Sequence, residues 1–263
     1  MMLAAFDRRD VGMLKSLFRL ALVDRFAGSG LGLVWAILSP LMLMGIFTFV
    51  FTFVFPNRLP GQSGPLPFVI WLLSGYGPWL AIVEGVMSAT NSVAGNAGII
   101  KNIAFKSELL PIVGAMLGIV PLLVSFAIVI PLQLIAGVPV SLAYLSLPVV
   151  IALQLVFVSG LGLFLAALNV FVRDTALSLP NILMLLLFAS PIFYPLSAYP
   201  ENLRPVFMFN PFYVIAACYR APILDGALPP LWMIAYLVVL SGILFMGGLW
   251  WFRRLKSFFD TRL

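Results

Sequence analysis

Residues 31–55 read LGLVWAILSPLMLMGIFTFVFTFVF, and no charged side chain occurs between Arg25 and Arg58. Wound as an α-helix at 1.5 Å per residue, this stretch reaches about 37 Å, more than the ~30 Å hydrocarbon core of a bilayer. In hydrocarbon the backbone must satisfy its own hydrogen bonds, so a helix is the form expected. Further apolar runs at 66–90, 109–136, 144–170, 175–196 and 231–252 repeat the pattern. The expected fold is therefore an all-α integral membrane protein with six transmembrane helices, built as a single domain over residues 1–263.

Composition points the same way. Of 263 residues, 63% are apolar and 9% charged, against roughly 45–50% and 25% in a soluble domain. A net charge of +6 would suit nucleic acid if it formed a stripe, but the Lys and Arg residues lie scattered between apolar runs. Their distribution sets orientation instead. With the N-terminus inside, only Arg58, Arg204 and Arg220 of the 15 basic residues face outward, as the positive-inside rule requires. Both termini are then cytoplasmic. A cleavable signal peptide is not expected, because charges crowd residues 7–25 and the following apolar run is too long for an h-region. The lone Cys218 and the absence of His leave no disulfide within the chain and no familiar metal or general-base constellation.

Two segments are neither span nor simple loop. Residues 7–26 place Val11, Leu14, Phe18 and Leu22 at helical spacing with Lys15 and Arg19 on another face, an amphipathic helix suited to the membrane interface. Residues 197–228 hold apolar pieces too short to cross, broken by Pro200, Pro205, Pro211 and Pro222. A pair of short re-entrant or interfacial helices between spans five and six is expected there.

Motifs for chemistry are few. No Gly-Lys pair exists, so the phosphate-cradling loop GxxxxGK is missing, and any nucleotide that powers transport must bind another polypeptide. Glu84 is the one clear acidic residue within a span; it suits a gate, or simply a helix-end carboxylate. Along residues 47–55, Phe47, Phe51 and Phe55 fall on one helical face, with Phe49 and Phe53 nearly opposite. One stripe would meet lipid and the other a helix interface or a sugar path. Clustered carboxylates and His for glycosyl or phosphoryl transfer are missing, so a membrane enzyme fits poorly. Proton-coupled secondary transport is a second rival, weakened by the absence of a midplane carboxylate and of an internal repeat.

Four segments carry a resemblance. Residues 23–40 (VDRFAGSGLGLVWAILSP), 96–111 (NAGIIKNIAFKSELLP), 172–174 (VRD), and 190–195 (SPIFYP) with 210–212 (NPF) and Arg220 occur in order along nearly the whole chain. Together they resemble permeases of ABC-2 type exporters, particularly those for O-antigen, capsular polysaccharide or teichoic acid. The chain departs from the pattern at Phe105-Lys106, where Phe-Pro is common, and at Phe26-Ala27, where an aromatic-basic pair often precedes the first span.

The resemblance implies a transport subunit, not an enzyme by itself, that dimerises and recruits two copies of a separate ATPase binding ATP and Mg. It implies a substrate of polysaccharide on a lipid, commonly undecaprenyl diphosphate, moved from the inner to the outer leaflet of the bacterial cytoplasmic membrane. A lipo-oligosaccharide, drug or other lipid is the alternative cargo. By the same resemblance, residues 95–108 form a coupling helix that meets the ATPase through Ile99, Ile100, Lys101, Ile103 and Phe105, with Arg173 and Asp174 as a second contact. Lys15, Arg19 and Arg25 lie where an anionic headgroup would arrive, and guanidinium suits phosphate; plain topology anchoring is the other reading. Phe49, Phe53, Glu84, Phe193, Tyr194, Tyr199 and Arg220 are candidates for the polysaccharide path or gate, and residues 197–228 for the outer gate helices.

Overall fold

The computed structural model describes residues 7–25, 28–54, 65–102, 105–137 and 141–259. Among them every regular element is helical. The elements are α1 (Arg8–Asp24), α2 (Trp35–Phe49), α3 (Leu66–Ser92), α4 (Ala97–Asn102), α5 (Leu109–Met116), α6 (Ile119–Ile135), α7 (Leu147–Phe171), α8 (Asp174–Ala189), α9 (Arg204–Met208), α10 (Pro211–Leu224) and α11 (Leu231–Lys256). A 3-10 turn precedes α2 and a π-helical turn follows it, giving one continuous rod over Gly32–Val54. Likewise α5 and α6 form one rod over Leu109–Ile135, and a 3-10 turn extends α7 back to Leu142.

Five rods among the described residues are long and apolar enough to cross a bilayer: Gly32–Val54, Leu66–Ser92, Leu109–Ile135, Leu142–Phe171 and Leu231–Lys256. The segment read as a fifth span, 175–196, differs. Its helix α8 has 16 residues, about 24 Å at 1.5 Å per residue and short of a full crossing. It stops because Ser190 precedes Pro191, whose ring disfavours the helical region for its neighbour; Ser190 is extended, with ψ 147°.

The bundle is built around α3, which packs on α5, α6, α7 and α10. In its most apolar stretch 78% of residues are buried, against 17% for Gly32–Val54 and 22% for Leu231–Lys256. The outer rods thus leave apolar faces for lipid or another subunit. Small residues set the closest approach. A Cβ on Gly160 of α7 would lie 2.5 Å from the Leu244 carbonyl carbon, and one on Gly248 of α11 2.3 Å from the Gly160 oxygen. Helices that share no hydrophobic drive in lipid associate through such contacts.

Side-chain amides pin the interior. Gln154 Nε2 donates to the Pro78 carbonyl at 3.2 Å; Gln133 Nε2 donates to the Ile223 carbonyl, and Gln133 Oε1 accepts from the Tyr144 hydroxyl. α10 begins where sequence chemistry demands: Asn210 Oδ1 accepts from the backbone N–H groups of Phe212 (2.9 Å) and Tyr213 (3.3 Å), and Pro211 takes the first helical position. Pro222 falls inside α10 without ending it. Within residues 7–26, read as a helix, α1 covers Arg8–Asp24 with a rotated inner stripe: Leu14, Phe18 and Leu22 are half-buried, joined by Met13 and Leu17, while Val11 is exposed. Packing of α1 on α5 selects that face.

Candidate functional site

One end of the bundle gathers the ion pairs of Arg25 with Glu84, Lys106 with Asp10, and Arg253 and Lys256 with Glu108. There α1 ends, the chain turns through Gly28 (φ 81°) and Gly32 (φ 51°), a left-handed geometry that favours glycine, and α2 begins. Between α1, α2, α3 and the α5–α6 junction lies a cavity of about 160 Å³. Its walls are apolar apart from Ser39, with Leu22, Trp35, Leu43, Leu80 and Val120 among them, and Arg25 and Glu84 form a polar edge.

The Arg25 guanidinium forks onto both carboxylate oxygens of Glu84: Nη1 donates to Oε1, and Nη2 donates to Oε2 at 2.7 Å. Ser88, one turn further along α3, donates its hydroxyl to Glu84 Oε1 at 2.7 Å and accepts from Arg25 Nη1 at 3.1 Å. Bidentate geometry makes this the strongest type of side-chain ion pair. The two side chains keep 41% and 22% exposure respectively, so both remain reachable from the cavity. Lys15 and Arg19 lie exposed elsewhere on α1 and do not line it.

A second polar cluster surrounds the turn between α4 and α5. Lys106 Nζ donates to Asp10 of α1 at 2.6 Å, which holds the Asp10 carboxyl below its usual range. Two residues on, Glu108 is 5% exposed and accepts from Arg253 Nε at 3.1 Å and Lys256 Nζ at 3.2 Å, both at the end of α11. Burial alone would raise the Glu108 carboxyl. Its own backbone N–H, Lys256 and Arg253 outweigh that and hold it below the ordinary value.

Of the residues assigned to ATPase coupling, Ile99 and Ile100 are half-buried, and Ile100 packs against the cluster containing Val93, Leu163 and Phe252. The helix here, α4, has six residues, shorter than the segment 95–108 suggested. Lys101 belongs to α4, but its side chain and all of Ile103 lie outside the described residues. Phe105 is half-buried beside Lys106. Arg173, between α7 and α8, and Asp174, the first residue of α8, are exposed, with no ion pair between them among the described residues. That turn is held by Asn169, whose Oδ1 accepts from Ala176 N and whose Nδ2 donates to the Thr90 carbonyl, each at 3.2 Å.

The remaining candidates separate into distinct environments. Phe193 is 1% exposed and packs with Phe47, Phe51, Tyr76 and Phe188, while Tyr194 meets Phe51 edge-on. Phe49 and Phe53 point away from that cluster and are exposed, in contact with each other. Tyr199 packs on Phe207. Arg220 is buried, with its guanidinium 3.9 Å from the Trp71 ring centroid, and it donates to the carbonyls of Ile192 (2.7 Å), Pro191 (3.4 Å) and Trp71 (3.4 Å). It ties the segment after α8 to α3 and α10. Sequence reading named Arg25 and Glu84 separately and missed their union, along with Ser88, Asp10 and Glu108. Glu108 carried one signal, an acid standing directly before an uncharged run.

Comparison with known proteins extends the picture along the chain. The family pattern described as "ABC-2 type transporter" matches residues 13–224. An O-antigen export system permease protein of Myxococcus xanthus is 28% identical over 95% of this chain and 92% of its own length. One from Klebsiella pneumoniae is 26% identical over 88% and 87%. A polysialic acid transport protein of Escherichia coli is 25% identical over 89% and 90%.

Proposed function

The chain belongs to the ABC-2 type transporter family, and on that premise we infer that it is the permease subunit of an ATP-driven exporter of lipid-linked polysaccharide. It is a multi-pass membrane protein and a transport component rather than an enzyme in its own right. The observation that carries the substrate class is similarity to O-antigen export permeases along almost the full chain. The polysialic acid relative favours a capsular polymer as the second reading.

In this reading two copies of the chain pair in the bacterial cytoplasmic membrane and engage two copies of an ABC ATPase, which binds ATP and Mg. Both termini face the cytoplasm, in keeping with the basic end formed by Arg25, Lys106, Arg253, Arg254 and Lys256. α1 lies in the interface there. α8 is the sixth crossing, completed by the segment through Pro195, and α9 and α10 form re-entrant gate helices on the outer side. The cavity beside Arg25 receives the lipid: its walls suit a hydrocarbon chain, and the guanidinium suits a diphosphate. The polymer then passes to the outer leaflet between the subunits, where aromatic faces such as Phe193 and Tyr194 permit sliding without tight directional bonds.

The test is genetic and direct. Deleting the gene should remove the surface polymer while lipid-linked polymer accumulates on the cytoplasmic side, and the chain supplied with its ATPase should restore export. Loss of surface polymer with no accumulated precursor would assign the chain to another step.

A further inference from the structure

The cavity that the proposed function assigns to an anionic lipid contains its own anion. Arg25 presents its guanidinium fork to the cavity edge, yet Glu84 already occupies that fork with two oxygens, in the manner of a phosphate. Ser88 steadies the arrangement from α3. Apart from Ser39 the remaining walls are apolar. In this conformation the polar edge is therefore neutral overall, and an arriving phosphate meets both a satisfied cation and the repulsion of a neighbouring carboxylate.

We propose that Glu84 is a displaceable stand-in for the headgroup phosphate, a latch that holds Arg25 against α3 until a lipid-linked diphosphate takes its place. This deepens the headgroup reading of the cavity and rests on it. Exchange of partners is feasible because the pair is not sealed: Arg25 is 41% exposed and Glu84 22%. A fully buried pair would lose too much by parting. Exchange also has a mechanical result. Arg25 follows directly on α1, whereas Glu84 and Ser88 belong to α3, so transfer of the guanidinium from carboxylate to phosphate uncouples the α1–α2 turn from the central helix. Substrate then reports its arrival by breaking one defined contact. The latch would select an anionic headgroup on an apolar chain, since a neutral lipid has nothing to offer Arg25 in return for Glu84.

A latch and a fixed structural pair make opposite predictions for the two partners. The experiment measures binding of fluorescent farnesyl diphosphate to the full chain with its ATPase in nanodiscs. Glu84→Gln, which removes the competing charge, should tighten binding about three- to tenfold, and Arg25→Ala should weaken it about tenfold or more. Ser88→Ala, a milder change that loosens Glu84 and frees Arg25 Nη1 from a second acceptor on α3, should tighten binding in the same direction and serves if Glu84→Gln does not fold. Inorganic diphosphate should compete more weakly than the lipid form, and farnesol should not compete. If Arg25→Ala weakens binding while Glu84→Gln and Ser88→Ala weaken it or leave it unchanged, the latch is refuted and the headgroup reading stands. Should Arg25→Ala bind the probe like the parent, both fall together.

Discussion

Glu108→Gln offers a clean perturbation of the contact between the start of α5 and the end of α11. The substitution keeps the side chain's shape and removes its charge, so of the two charge-assisted bonds, at 3.1 Å and 3.2 Å, one remains as a cation–amide carbonyl bond and the other is lost, because the amide nitrogen can only donate. The loss is smaller than the 3–5 kcal/mol expected when a buried charge is stranded, because Arg253 and Lys256 are 28% and 38% exposed and recover water. About 1–3 kcal/mol is the expected cost. At about 2–4 °C per kcal/mol for a chain of this size, melting should fall by several degrees. The pH dependence carries the sharper signature. The Glu108 carboxyl is depressed in the folded protein relative to its ordinary 4.5, so its stabilisation is fully present above that value and is lost as pH falls through the depressed one. Melting of the purified protein in detergent, followed by intrinsic fluorescence between pH 3 and 8, should show the variant below the parent at neutral pH, with the difference shrinking in acid. Equal melting at neutral pH, or parallel acid profiles, would refute the assignment of this ion-pair cluster.

Gly248→Val should lower the melting temperature more than Glu108→Gln, since its added atoms meet the Gly160 carbonyl oxygen rather than a movable side chain, an overpacking cost of about 1–3 kcal/mol or more; thermal scans of purified protein decide it. Cys218 is fully buried, so maleimide should label it only after denaturation, and ready labelling of native protein would contradict the packing of α10. Phe105→Ala should weaken copurification with the ATPase, or uncouple hydrolysis from export, more than Lys106→Ala at matched membrane levels, because an aromatic anchor buried by a partner contributes about 2 kcal/mol or more, whereas half-buried Lys106 is already paired with Asp10 within the chain. Normal copurification and export by Phe105→Ala would move the contact elsewhere. The purified chain alone should hydrolyse no ATP, for want of a phosphate-binding loop.

Much of the fold is legible because membrane spans announce themselves by length and by the charges that bound them. Residues 31–55 and 66–90 become rods over Gly32–Val54 and Leu66–Ser92, and Asn210-Pro211 starts α10 as cap chemistry requires. Local signals fail where the chain is apolar but not helical. The run through Leu196 hides the end of α8 at Ala189, although Pro191 carries the instruction to stop. Pro222 errs the other way, read as a break yet absorbed near the end of α10. The site was legible only in parts, since a cation and a carboxylate 59 residues apart are joined by packing of α1, α2 and α3 and not by any spacing. Glu108 likewise finds Arg253 and Lys256 only when α11 returns to the end where α5 begins.

ATP-driven movement of a lipid-linked polymer through this chain can be followed in proteoliposomes containing the chain, its ATPase and a lipid-linked glycan. Protection of the glycan from an added glycosidase reports its leaflet. ATP supplied on the ATPase side should carry the glycan to the opposite leaflet, and neither subunit alone should do so. Movement without the ATPase under an imposed proton gradient, or none with both subunits and ATP, would overturn the assignment of an ATP-driven exporter.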